Sequence, residues 1–201
     1  MTNFLHEARF RAVAGVLREA GARRILDLGC GDGDFILHLL DDSQIAAITG
    51  VEKDEAALGR LRTRLRDHPL ARKVQIIAGD ITRPPPGLPQ ADAIVLVEVI
   101  EHLGPGPLQA LERVLLRDIA PPLAVITTPN AEMNPLLGVK PGRMRHRDHR
   151  FEWDRKRFRA WAEAVAARHG YTLDLTDIAG KHPRFGGASQ MAVFARDSSG
   201  R

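Results

Sequence analysis

The 201-residue chain has one cysteine, Cys30, one tyrosine and two tryptophans, and no long apolar run. A lone thiol cannot close an internal disulfide, so a reducing compartment such as the cytoplasm is expected. No apolar stretch approaches the roughly 20 residues that span a bilayer. The opening MTNFLHEARFRAV mixes acid with base and has no apolar core, so no secretory peptide is expected there. Repeats and low-complexity tracts are missing too, and the composition excludes collagen, extended disorder and coiled coil. Lysine is scarce: 5 of the 29 basic side chains are lysine and 24 are arginine.

What remains is an ordinary globular composition, 44% hydrophobic and 27% charged. The length fits one domain over residues 1–201, expected as a monomer, that needs no disulfide or metal staple to fold. The net charge is +4 and unevenly placed. Between Lys140 and Arg159 stand nine Lys or Arg, two His and three acids, Asp148, Glu152 and Asp154. Arginine's planar fork binds two phosphate oxygens at once, so this stretch is a candidate contact for a polyanion.

Short apolar runs read as strands: Ile25–Leu28, Ala46–Val51, Val74–Ala78, Ala93–Val97, Ala124–Thr127, Thr172–Ile178 and Met191–Ala195. Helical patterns occupy Phe4–Leu17, Phe35–Leu40, Glu55–Arg66, Leu108–Leu116 and Arg155–Arg168, whereas a proline-rich loop joins the third strand to the fourth. Such alternation predicts a parallel α/β sheet, and the short Gly186–Gly187 connection predicts a closing antiparallel hairpin. This pattern resembles the Rossmann-like seven-stranded fold of class I methyltransferases. The basic segment from about residue 130 to 151 breaks the alternation and reads as a lid over the carboxyl edge of the sheet, where open α/β sheets bind ligands.

After the first strand comes Asp27-Leu-Gly29-Cys30-Gly31-Asp32-Gly33-Asp34. The glycines permit a sharp turn and close approach of a ligand to bare main chain. Dinucleotide loops use a different glycine spacing, and the acids here would repel a pyrophosphate while suiting a ligand with an ammonium and a sulfonium. The loop resembles the S-adenosylmethionine loop of class I methyltransferases. Glu52 ends the second strand, where a carboxylate can accept both ribose hydroxyls. By the same resemblance Asp80, after the third strand, accepts from the adenine amino group while Ile81 packs on the ring. Arg9 and Arg11 are placed to help cover the cofactor.

The fourth strand runs into Glu98-Val-Ile-Glu101-His102. In a helical turn these three side chains share one face, and two carboxylates meeting an imidazole call for a proton, a cation or a metal. Two hard oxygens and one nitrogen suit Mg²⁺ or Mn²⁺, with Zn²⁺ also open. The same residues also occur in methyltransferases as metal-free polar groups on the substrate side. His146 and His149 on the lid are the candidates for a further ligand or a general base. Trp153 and Trp161 read as core.

With T-T-P-N-A-E-M-N at 127–134, D-H-R-F-E-W at 148–153 and Q-M-A-V-F at 190–194, the chain is similar to the small-RNA 3′-terminal 2′-O-methyltransferases of the Hua-enhancer type. The likeness runs from about Leu5 to Phe194 and corresponds to the catalytic domain. It implies metal ligation by Glu98, Glu101, His102 and His149, with His102, His149 and Glu98 carrying the chemistry. Asp27, Gly29, Gly31, Gly33, Glu52 and Asp80 would bind S-adenosylmethionine. The basic lid and helix (Arg143, Arg145, Arg147, Arg150, Arg155, Arg157 and Arg159) would hold RNA phosphates, no more than three of them directly, with Arg145, Arg147 and Arg150 the candidates, and the RNA end needs a free 2′,3′-diol. A partner in RNA processing or repair is a further expectation. The rival reading is a metal-assisted O-methyltransferase of a catechol or quinone precursor, which the basic lid disfavours.

Overall fold

A computed structural model describes residues 2–196. Seven strands form one sheet: β1 Arg24–Leu28, β2 Ala47–Glu52, β3 Val74–Ala78, β4 Ala93–Val97, β5 Leu123–Pro129, β6 Thr172–Ile178 and β7 Ser189–Ala195. Their spatial order is β3-β2-β1-β4-β5-β7-β6. The first five are parallel, and β7 inserts antiparallel between β5 and β6. The expected fold class and closing hairpin are both present.

The inner strands read as unbroken apolar runs because both of their faces are covered. Period-two alternation divides them. Ile25, Ile48, Val95 and Val125 face one layer, containing α1 Thr2–Glu19, α2 Asp34–Leu40 and α3 Glu55–Leu65. Leu26, Leu28, Ile94, Leu96 and Ile126 face the other, containing α4 Pro105–Arg113 and α5 Arg155–His169. Phe10, Val13, Ala14 and Leu17 bury one stripe of α1.

Helix starts follow local chemistry. The Asp54 carboxylate accepts from the Ala56 amide at α3, and Asp154 from the Arg157 amide at α5, each satisfying an orphan donor. Proline opens α4, where its missing N–H costs nothing, so that helix begins three residues before the predicted Leu108. No helix of the described residues is long and apolar enough to cross a membrane.

The segment expected to be an irregular lid begins with a 3₁₀ run, Ala131–Leu137. Asn130 starts it: its side-chain oxygen accepts from the Glu132 amide, while its nitrogen donates to the carbonyls of Phe185 and Gly187 at 2.8 and 2.9 Å. One buried amide thus joins β5, the lid and the β6–β7 turn.

Candidate active site

A cavity of about 800 Å³ opens at the carboxyl edge, lined by Asp27, Gly31, Glu52, Asp80, Glu98 and His102 among others. Gly31 has a φ of 52°, and a Cβ added there would meet nothing within 4 Å, so the loop presents bare backbone to the open space. Gly33 closes the turn at φ 79°, where a Cβ would strike the Leu61 side chain at 2.2 Å.

Asp27 shares the parity of Ile25 on β1 and is 2% exposed, with Oδ2 buried and without a hydrogen-bond partner. Burial, with the Glu52 charge nearby, pushes its carboxyl up to about 7. An orphaned acid of this kind fits a cationic ligand. Glu52 is partly fixed by the Lys53, Asp54 and Gly31 amides at 2.8, 2.9 and 3.2 Å. Asp80 accepts from the Thr82 amide and hydroxyl, which hold its carboxyl below the ordinary range.

The other loop acids, Asp32 and Asp34, also line the cavity, but each is already paired within the protein. Asp32 is held by a two-pronged bond from Arg60, both contacts at 2.8 Å, and Asp34 pairs with Arg64 at 2.5 Å. Both arginines come from α3, so their charges are offset by the protein itself. Cys30 is a buried small side chain whose thiol is pushed up by burial.

At the end of β4 the expected single helical face gives way to a sharper turn. Glu98 has a φ of 58°, in the left-handed region, and only Ile100–His102 is helical, as one 3₁₀ turn. Glu98 therefore stands apart from that helical face. Its Oε1 accepts from the Thr127 hydroxyl at 3.0 Å, and its Oε2 meets Ser189 Oγ at 3.3 Å and Arg9 at 3.1 Å. Glu101 is fully buried. Its Oε2 accepts from Thr128 at 2.9 Å, and its Oε1 has no partner. Burial, with Glu98 adding to it, raises the Glu101 carboxyl well above its usual range.

The lid closes on this turn. The Arg150 amide donates to the Glu101 carbonyl at 2.7 Å. The His149 and His102 rings are 4.8 Å apart, with His146 at 5.6 and 6.0 Å from them. One ligand atom from each of these three histidines lies within 4.8 Å of the others, while Glu98 and Glu101 stand outside this group. Burial and the neighbouring His149 push the His102 imidazole below its ordinary range, favouring the neutral, ligating form.

Hydrogen bonds separate the two lid histidines. His149 Nδ1 faces Glu152 Oε1 at 2.5 Å; with the ring nitrogen donating, its Nε2 keeps a lone pair. His146 Nδ1 instead accepts from the Asp148 amide at 3.2 Å, which occupies that lone pair. His149 is thus the better ligand or base. Glu152 is itself anchored by Asn134 at 2.5 Å and by the Arg145 amide at 2.7 Å. Burial works to raise the Glu152 carboxyl, but the bonds from His149, Asn134 and Arg145 outweigh it and hold the group low.

Two expected phosphate contacts are already engaged by protein groups, Arg145 within the lid and the half-exposed Arg155 by carboxylates. Arg145 donates to Asn134 Oδ1 at 2.6 Å, to the Ala188 carbonyl at 2.6 Å and to the Asn130 carbonyl, so its guanidinium is a strut. Arg155 is bound to Glu132 and Asp177. Arg147 is 90% exposed, and Arg150 is exposed at the cavity mouth. Arg9 lines the cavity, whereas Arg11 is exposed elsewhere. Trp153 is buried against Phe151, and Trp161 donates to Glu112 at 2.8 Å. Thr127, Thr128, Asn134 and Glu152 stand in the motifs that carry the resemblance, but their roles here were not anticipated, and Ser189 was not singled out. The i, i+3 spacing of His149 and Glu152 was the one local signal for that pair.

A family model described as a methyltransferase domain matches residues 26–117. With the strand order and the cofactor loop, it defines a class I, S-adenosylmethionine-dependent methyltransferase domain. The chain is 34% identical over 205 residues to a small RNA 2′-O-methyltransferase of Xenopus tropicalis, covering 96% of this chain and 55% of that protein. It spans about half the length of the curated vertebrate relatives it matches. A methyltransferase domain of bacterial CtHen1 superposes with a TM-score of 0.85 at 35% identity, covering 96% of this chain and 100% of that one. The small RNA methyltransferase HEN1 also gives 0.85, at 30% identity, covering 95% of this chain and 25% of that one. The chain belongs to the Hen1 small-RNA methyltransferase family.

Proposed function

We propose that this domain moves the methyl group of S-adenosylmethionine onto the 2′-oxygen of the 3′-terminal ribose of an RNA, with a divalent cation, Mg²⁺ or Mn²⁺, as cofactor. One observation carries the reading: the lid backbone is docked on Glu101, which brings His149 beside His102 at the mouth of the cofactor cavity. Family membership agrees with it.

Asp27 would receive the ammonium group of the methyl donor, Glu52 its ribose and Asp80 its adenine edge. His102 and His149 would hold the cation, with the unpartnered Glu101 oxygen as a charged donor. Recruiting Glu98 means trading its Arg9 partner for the ion. A bound divalent ion supplies Lewis acidity, which lowers the pKa of a hydroxyl it touches. The protein's own part is to fix the acceptor against the donor, since much of the rate in such a displacement comes from positioning. His146 Nε2 would donate to a substrate oxygen, and exposed Arg147 and Arg150 would take backbone phosphate.

The test is tritium transfer from labelled cofactor in Mn²⁺. RNA ending in a free 2′,3′-diol is labelled, and the same RNA ending in 2′-deoxyribose or a 3′-phosphate is not. Equal labelling of the deoxy end would overturn the acceptor assignment. Full rate in excess chelator would remove the cation from the reaction.

A further inference from the structure

Cofactor loops follow β1, β2 and β3, so an acceptor approaches from the other half of the carboxyl edge. That half carries the Glu98–His102 turn, the lid and the connection from β6 to β7. Because β7 runs antiparallel, its first residue lies at the same edge, paired with Pro129. Ser189 there reaches Glu98. The turn just before it, residues 179–188, therefore flanks the reaction site.

This turn is held rigidly. His182 and Gly186 exchange backbone bonds of 2.8 and 2.9 Å. His182 Nδ1 accepts the amides of Arg184 and Phe185, both at 3.2 Å. Asn130 donates to Phe185 and Gly187 carbonyls, and the Arg145 strut ends on Ala188. The lid and the turn are thereby braced together.

Its outward side chains are of one kind. Residues 178–196 contain no acid. Lys181 and Arg184 are exposed. Arg155 takes the nearby carboxylates of Glu132 and Asp177, and neither Lys181 nor Arg184 has an acidic partner among the described residues. His182 stacks on the half-buried Phe185 at 4.9 Å and 21°, and the Arg184 guanidinium lies over the same ring at 5.1 Å. Aromatic and guanidinium planes beside unpaired cations are how proteins hold single-stranded nucleic acid.

We propose that the Lys181–Phe185 turn is a second RNA contact, for nucleotides just upstream of the terminal one. Lys181 and Arg184 take phosphates, and a nucleobase adds to the open end of the His182–Phe185–Arg184 pile. Arg184 is five residues from Ser189, so it lies within about 18 Å of that residue, a span of a few nucleotides. The inference rests on the RNA reading given above.

The experiment is fluorescence anisotropy on the whole chain with a single-stranded RNA of about ten nucleotides, across a salt series. The double variant K181A/R184A raises Kd about tenfold and shrinks the slope of log Kd against log salt by about 1.4, at about 0.7 per lost phosphate. Phe185→Ala raises Kd about tenfold with the slope kept, because stacking is lost and charge is not. The milder Phe185→Leu guards against loss of packing, and calorimetric cofactor binding reports the fold of each variant. Unchanged Kd and slope in folded variants, with wild-type chain that methylates RNA, would overturn the second contact alone. No transfer to any RNA by the wild type would overturn both readings.

Discussion

A carboxyl group as buried as Asp27, with one oxygen unpartnered, is costly unless a cation meets it. Its raised pKa of about 7 has a definite sign. The free folded chain holds a proton that the unfolded chain has lost, so this group's contribution to stability declines as pH rises from about 4 to 7. A cofactor ammonium prefers the ionised form. Its Kd should therefore fall about tenfold per pH unit up to about 7 and level off above, as calorimetry would record. Asp27→Asn should flatten that profile and weaken binding; a flat wild-type profile would refute the ammonium assignment. Glu152 acts through His149. Glu152→Ala should weaken Mn²⁺ binding, read by paramagnetic resonance, by roughly 10–100-fold, and Glu152→Gln by less. Equal affinity in all three chains would sink the bracing role. At this scale the sequence was readable where a residue's place follows from a strand end, as for Asp27, Glu52 and Asp80. It was opaque where a distant charge intervenes. Arg60 reaches Asp32 across 28 positions, and nothing local marks Glu98 for a left-handed backbone.

The lid shows what an element without periodicity is made of. Its shape comes from side chains bonding distant backbone, notably Arg145 to Asn130 and Ala188, and such pairs leave no repeating signal in the chain. The segment was recognisable by its charge and its prolines, but which arginines point out was not. Arg145 and Arg147 are two residues apart and behave oppositely. Arg145→Ala strands three acceptors and should lower Tm by about 5–10 °C in a scanning-fluorimetry melt. Arg147→Ala should leave Tm within about 1 °C, since an exposed side chain away from any special feature contributes little. The reverse ranking would mean the strut is not holding the lid.

The whole topology was legible because parallel strands buried on both faces are continuous apolar runs, and their spacing leaves room for crossover helices. The one connection between parallel strands without a helix, from β3 to β4, announced itself by its prolines. Strand order places β7 in the interior of the sheet although it is synthesised after the other six. During translation, β5 therefore emerges with an open edge of seven buried residues that waits for residues 189–195 to leave the ribosome. A chain stopped at Ala188 should sediment with aggregates, whereas one stopped at Arg196 should stay in the supernatant, so nascent copies are most vulnerable between the emergence of β5 and the docking of β7.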